Sequence, residues 1–182
     1  MNDNIKSFIT KGFWVVGTLL LIRYMISKPI SIKECFGFVG QSITLTLIIM
    51  GIYEKWLWRF SPFEKIPNID GEYLGNIEYN YNGVAGKKKV SIRMKQSLLS
   101  INVKITTNEI TSSSITSSII LENEEYVLYY NYLTNPKSKF IKGNPIQKGT
   151  CRIILNSKSE LHGTYWTTQQ TIGDIYIKRK IK

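Results

Sequence analysis

The stretch Cys35–Tyr53, CFGFVGQSITLTLIIMGIY, decides the architecture. It holds nineteen residues without a formal charge. At about 1.5 Å of rise per residue, a helix of that length crosses a hydrocarbon layer of roughly 30 Å. Trp56 and Trp58, with Lys55 and Arg59, follow Tyr53 at once, as aromatic and basic residues do at a membrane interface. Upstream, Gly12–Ile22 is apolar but short, with Lys11 and Arg23 at its ends. Long basic side chains reach back toward head groups, so a helix extended to about 8–26 also spans. A signal peptide is the alternative for this first run, but no small-residue cleavage site follows Ile22. A link of roughly 27–34 carrying Pro29 joins the two runs. So short a link makes the helices antiparallel. Lys6, Lys11, Lys55, Arg59 and Lys65 lie at the outer ends against Lys28 and Lys33 in the link. The positive-inside bias then puts both termini in the cytoplasm, which in a bacterium predicts a multi-pass protein of the cell inner membrane.

Downstream of Ser61-Pro62 the pattern changes to strict alternation of apolar and polar residues, the signature of half-buried strands. In the first run Ile69, Tyr73, Ile77, Tyr79 and Tyr81 share one face, opposite Asp70, Glu72, Asn76, Glu78 and Asn80. Asn82-Gly83 and Gly86 mark its turn. Seven further runs follow, at 88–96, 99–106, 115–121, 126–133, 149–155, 161–168 and 172–179. Short connections pair neighbours antiparallel. Closure removes edges that would invite aggregation. The predicted fold is therefore two N-terminal transmembrane helices (1–60) and an all-β domain (61–182), an eight-stranded antiparallel up-and-down β-barrel. A two-sheet sandwich is the alternative.

The formal charge is +11 from 24 basic and 13 acidic residues, which favours anionic partners such as lipid head groups or phosphorylated ligands. The two cysteines are far apart, and the single histidine, His162, has no triad spacing around it. No Gly-rich phosphate loop, zinc ligand set or nucleophile elbow is present. No metal, cofactor or enzyme activity is implied.

Two segments carry a resemblance: IDGEYLGNIEY (Ile69–Tyr79), which opens the barrel with D-G-x-Y-x-G, and LHGTYWTTQQTIGDIYIKR (Leu161–Arg179), which closes it with G-x-Y, a Thr-rich turn and G-x-I. With the two-helix layout they resemble the two-transmembrane, β-barrel effectors of the CBASS anti-phage system, the CD-NTase-associated family. That resemblance implies a barrel that binds a cyclic oligonucleotide, a di- or trinucleotide made by a partner CD-NTase. It further implies self-association on binding, and helices that disrupt the lipid bilayer and kill the cell.

A cyclic dinucleotide needs cations or N–H donors for phosphates and aromatic faces for bases. Tyr79, Tyr81, Tyr165 and Thr167 fall on the inward set and are expected at one barrel mouth, although tyrosines equally fill cores with their hydroxyls at the rim. Arg93 and Arg152 are the candidate phosphate partners. Alternation turns both outward unless a bulge shifts the register. The rival readings are a lipid-binding barrel and an assembly module without a nucleotide ligand.

Overall fold

The computed structural model describes residues 3–28, 31–157 and 159–180. Two helices, α1 (Asp3–Ile26) and α2 (Ile32–Lys55), come first, followed by a short 3-10 turn at Leu57–Phe60. Each helix is long and apolar enough to cross a membrane. Ser31 caps α2, its hydroxyl accepting from the Glu34 N–H at 3.3 Å. This is the S-x-x-E start signal, with a carboxylate in the positive first turn. Pro29, expected in the link, lies outside the described residues.

Along α2 the buried residues are Ser42, Thr46 and Met50, a stripe of spacing four. The Thr46 hydroxyl donates to the Ser42 carbonyl at 2.8 Å and Thr44 to Gly40 at 2.9 Å, so both threonine hydroxyls are satisfied within the helix. A Cβ added at Gly37, Gly40 or Gly51 would meet nothing within 4 Å. The hydroxyl stripe thus packs inside the hairpin, and the glycines do not. Lys11 is held by Glu64, which also accepts from the Tyr53 hydroxyl at 2.7 Å. Arg23 lies 4.8 Å from the centroid of the Phe38 ring. The two cations that bound the short apolar run of α1 are therefore both partnered.

The chain divides into two compact units, Met1–Glu64 with Ser97–Leu99, and Lys65–Gln96 with Ser100–Lys182. The second is a closed barrel of eight antiparallel strands in sequence order: β1 (Gly71–Tyr81), β2 (Val84–Gln96), β3 (Ile101–Thr106), β4 (Ile110–Glu122), β5 (Glu125–Pro136), β6 (Lys148–Ile154), β7 (Glu160–Thr167) and β8 (Ile172–Arg179). The closed barrel replaces the sandwich alternative. Asn82 and Gly83 both take positive φ, 49° and 82°, the two-residue turn that matches strand twist. Gly86 is not part of that turn. It stands in β2 directly opposite Tyr79.

Strand β4 begins five residues before the expected run. Its Ser/Thr-rich start gives no apolar alternation to read, and the pairing slips between Ser114 and Thr116. The interior is packed by Tyr73, Ile92, Met94, Val103, Leu128, Ile153, Leu161, Ile175 and Ile177, all at most 2% exposed.

The two ends differ. At one, where the chain enters, polar groups close the barrel. Gln96 accepts from the Ile69 N–H at 2.8 Å and donates to the Pro67 carbonyl at 3.1 Å. The Tyr73 hydroxyl donates to the Ile69 carbonyl at 3.0 Å. Arg179 sits 5.7 Å from the Tyr73 ring centroid and donates to the Asp70 carbonyl. At the other end, beside the β1–β2, β3–β4 and β7–β8 turns and the β5–β6 loop, the barrel is open.

Candidate functional site: the open mouth of the barrel

A cavity of about 290 Å³ occupies the open end, at the lower limit of small-molecule pockets. Tyrosines dominate its wall: Tyr79, Tyr81, Tyr130, Tyr132 and Tyr165. Its space follows from register. Tyr79 faces Gly86 across β1–β2 and Gly173 across β1–β8, Tyr132 faces Gly149, and Tyr165 faces Gly173. A Cβ at Gly86, Gly149 or Gly173 would strike the ring of its tyrosine partner. Each ring therefore lies down over a bare stretch of neighbouring backbone rather than crossing the barrel axis. Five large residues line the wall and leave a hollow between them.

At the floor, Tyr130 lies beside Tyr132, with centroids 5.9 Å apart and planes tilted by 48°. The Tyr130 hydroxyl is buried and, among the described residues, has no oxygen or nitrogen partner, its one polar contact being a weak one with the Cys151 thiol. The Cys151 thiol is its neighbour, and sulfur is only a weak acceptor. Gln147 is fixed through its backbone: its N–H donates to the Thr134 hydroxyl at 2.8 Å, and its carbonyl accepts from Thr134 N–H at 2.9 Å. Its side-chain Oε1 is likewise buried without a partner. Both atoms belong to cavity-lining residues. Buried polar groups are ordinarily paired, so these two side chains leave polar atoms open to a further partner beside the hollow.

Lys88 is the one basic side chain lining the cavity among the described residues. Its Nζ pairs with Glu109 at 2.7 Å and stands 5.5 Å from the Tyr79 ring centroid. Asn144 donates to the same carboxylate at 3.2 Å. Burial pushes the Tyr165 phenol up to about 12 and raises Tyr130 and Tyr132 further in the same direction. Burial also pushes the Cys151 thiol up to about 12. These groups stay protonated at neutral pH, so the phenols can act as neutral donors.

Of the six residues expected to bind ligand, the structure gathers Tyr79, Tyr81, Tyr165 and Thr167 at this mouth. Arg93 and Arg152 lie elsewhere. Arg93 is exposed on the outer face, across from Glu72. Arg152 is also on the outer face. Its Nε donates to the Tyr129 hydroxyl and its Nη2 to Glu122, each at 2.9 Å. Those hydrogen bonds, first from Arg152 and then from Tyr129, hold the Glu122 carboxyl below its usual range. The ladders through Arg93 and Arg152 run without slippage, so alternation keeps both side chains outside. Lys88, Tyr130, Tyr132 and Gln147 also line the mouth and are not among those six. Parity with Val90 and Ile92 places Lys88 inward, although it stands in a run of three lysines in which Lys87 and Lys89, on either side of it, are exposed. Leu128, Tyr130, Tyr132 and Thr134 share one parity in β5. Gln147 sits in a loop, and no periodicity announces it.

Residues 64–179 match the family model described as the Cap15 cyclic dinucleotide receptor domain. The chain belongs to this family. A curated relative, CD-NTase-associated protein 15 from Staphylococcus schleiferi, is 37% identical over 182 residues, covering 98% of this chain and 99% of that protein. The CBASS resemblance carried by the two quoted segments thus holds along nearly the whole chain, apolar helices included. Among solved structures, a redesigned β-barrel aligns over 62% of this chain and 92% of its own, at 10% identity and a TM-score of 0.46. In the Cap15 domain of this chain, the matched stretch contains every strand of the barrel and every residue of the mouth.

Proposed function

We infer that the open mouth binds a cyclic dinucleotide and that the chain is a CBASS effector without catalytic activity of its own. The observation that carries this reading is the pair of unpartnered buried atoms, Tyr130 Oη and Gln147 Oε1, in a tyrosine-walled hollow. A donor and an acceptor suit a base edge, and Tyr79, Tyr81, Tyr132 and Tyr165 offer ring faces for stacking. Lys88 supplies a point charge for phosphate once it exchanges Glu109 for the ligand. Thr167 and Asn144 add hydroxyl and amide groups at the mouth.

The ligand comes from a partner CD-NTase. Residues 1–60 form the membrane hairpin and 61–182 the cytoplasmic sensor, with both termini inside the cell. Binding promotes self-association, and clustered hairpins disrupt the bilayer. The spans that support the anchor are Asn4–Ile26 and Ile32–Lys55.

The test is calorimetry on the full chain in detergent micelles against cyclic di-AMP, cyclic di-GMP, cyclic di-UMP and cyclic GMP-AMP. Saturable binding of at least one, reduced about tenfold or more by Lys88→Met, is expected from the strength of a charge-assisted contact. No binding across the panel, together with lipid extracted from the purified chain, would replace this reading with that of a lipid-holding barrel.

A further inference from the structure

Strand β4 is longer than the strand that covers it. β3 starts at Ile101 and ladders onto β4 only through Lys104↔Ser113, Ile105↔Ser112 and Thr106↔Thr111. The register slip at Ser114/Thr116 follows directly. Two hydroxyls carry the seam a little further. Ser114 Oγ accepts from the Val103 N–H at 2.9 Å, and Ser117 donates to the Ile101 carbonyl. Beyond Ser117 no strand flanks β4 on that side among the described residues, while its other side stays paired with β5 out to Glu122↔Glu125. Residues 118–122 are therefore a sheet edge on an otherwise closed barrel.

The chemistry of this edge is unusual. The run from Ile110 to Leu121 contains no charged residue, proline or glycine, whereas natural edges are usually blunted by lysine, proline or a covering element. Ile120 is 41% and Leu121 62% exposed. Such a segment, uncharged and rich in β-branched residues, is a template for another strand. Its end is held in place by the Glu122–Tyr129–Arg152 cluster, so the edge is presented rather than loose.

We propose that this β4 edge is where a second copy of the chain docks, β4 against β4 antiparallel, and that ligand in the mouth promotes the pairing. The proposal deepens the reading given above and rests on it for the ligand's part. A second copy is the occupant because of charge. Two chains of +11 repel across most approaches, and the uncharged strip is where that penalty is least. Antiparallel pairing about a twofold axis sets aliphatic residues against their counterparts and closes the assembly. The link to ligand is the short ladder itself. Ile105, Ile110 and Ser112 line the cavity, and the Ile105↔Ser112 pair is the middle of the three that tie β3 to β4. A ligand seated against them bears on the seam from which the edge emerges.

The experiment uses the full chain in detergent micelles, with association read by sedimentation and binding by calorimetry. The tightest binder of the cyclic dinucleotide panel is the probe. Ile120→Lys places a like charge on the exposed face of the edge. It is expected to keep ligand affinity within about twofold and to weaken association about tenfold or more, as a lost interface contact plus like-charge repulsion would. In a Cys35→Ser background, which removes the exposed native thiol, Ser118→Cys is expected to give an oxidised dimer faster with ligand than without. Undiminished association of Ile120→Lys, or a parent chain that stays monomeric with and without ligand, overturns the proposal. Association that Ile120→Lys abolishes but no ligand affects keeps the edge and removes the ligand's control. Absence of binding in the panel is a failure of the receptor reading alone.

Discussion

The two ends of the barrel are built from the same residue types to opposite effect. At the closed end, Gln96, Tyr73, Arg179 and Asp70 engage one another and the backbone of the entering segment. At the open end, Tyr130 and Gln147 each leave a buried polar atom without a partner. A tyrosine and a glutamine thus close one end by bonding to the chain. At the other, the same side-chain types line the hollow and leave those atoms unbonded by chain oxygen or nitrogen. Burial alone does not separate the two, since Tyr73 and Tyr130 are 0% and 2% exposed. What separates them is whether the hydroxyl has a partner.

The contrast sets out a series of measurements. The largest effect is expected at the closed end. Gln96→Leu strips the Ile69 N–H and the Pro67 carbonyl of their partners and should cost about 3 kcal/mol of barrel stability in denaturant titration. Ligand affinity should be unchanged. A large affinity loss instead would mean the ends are not independent.

Raising the pH acts on the row beneath the mouth. Cys151 has its folded value raised from 9.0 to about 12 and Tyr165 from 10.0 to about 12. Both groups hold their protons more tightly when folded. Stability is therefore complete below the unfolded values and falls as pH rises through the window from about 9 to about 12. At pH 11 the thiol alone should account for about 3 kcal/mol, with the phenol adding in the same direction. A flat unfolding midpoint between pH 8 and 11 would contradict the burial of this row.

Tyr130→Phe should move the two readouts apart. Stability should hold or rise slightly, since an unpaired hydroxyl leaves the core, while ligand affinity drops about tenfold. Loss of both together would show the hydroxyl to be structural. The smallest effect is expected from Gly86→Ala. The three atoms nearest its new methyl all belong to the far end of the Tyr79 ring, so the ring is pushed into the hollow. Affinity should fall about threefold, within the range of a modest packing change, with the fold intact by circular dichroism.

Much of the fold was legible because each level of the sequence agreed. The charge-free Cys35–Tyr53 run made α2, and alternation gave all eight strands. The β4 boundary escaped because its first turn of strand carries no apolar signal. Thr111, Ser112, Ser113 and Ser114 present hydroxyls on both faces, and Ile115 falls at the register slip. Four mouth residues could be read from parity, and Lys88 had the same parity but was hidden in a lysine run. The arginines have the chemistry for phosphate, but alternation turns them outward and the unbroken ladders keep them there. Gln147 depends on a loop fold fixed by Thr134, information no local pattern contains.

The seating of each mouth tyrosine over a cross-strand glycine has an evolutionary corollary. A ring and its seat form one heritable unit. At residue 86 the three atoms nearest an added Cβ all belong to the Tyr79 ring, so a side chain larger than alanine there calls for a smaller residue at 79. At 149 and 173 the Cβ also meets the Trp166 and Glu78 carbonyl oxygens, so backbone as well as ring keeps those two positions glycine. The shape of the hollow in barrels of this plan should consequently drift through paired changes at 79 and 86, while 149 and 173 stay fixed.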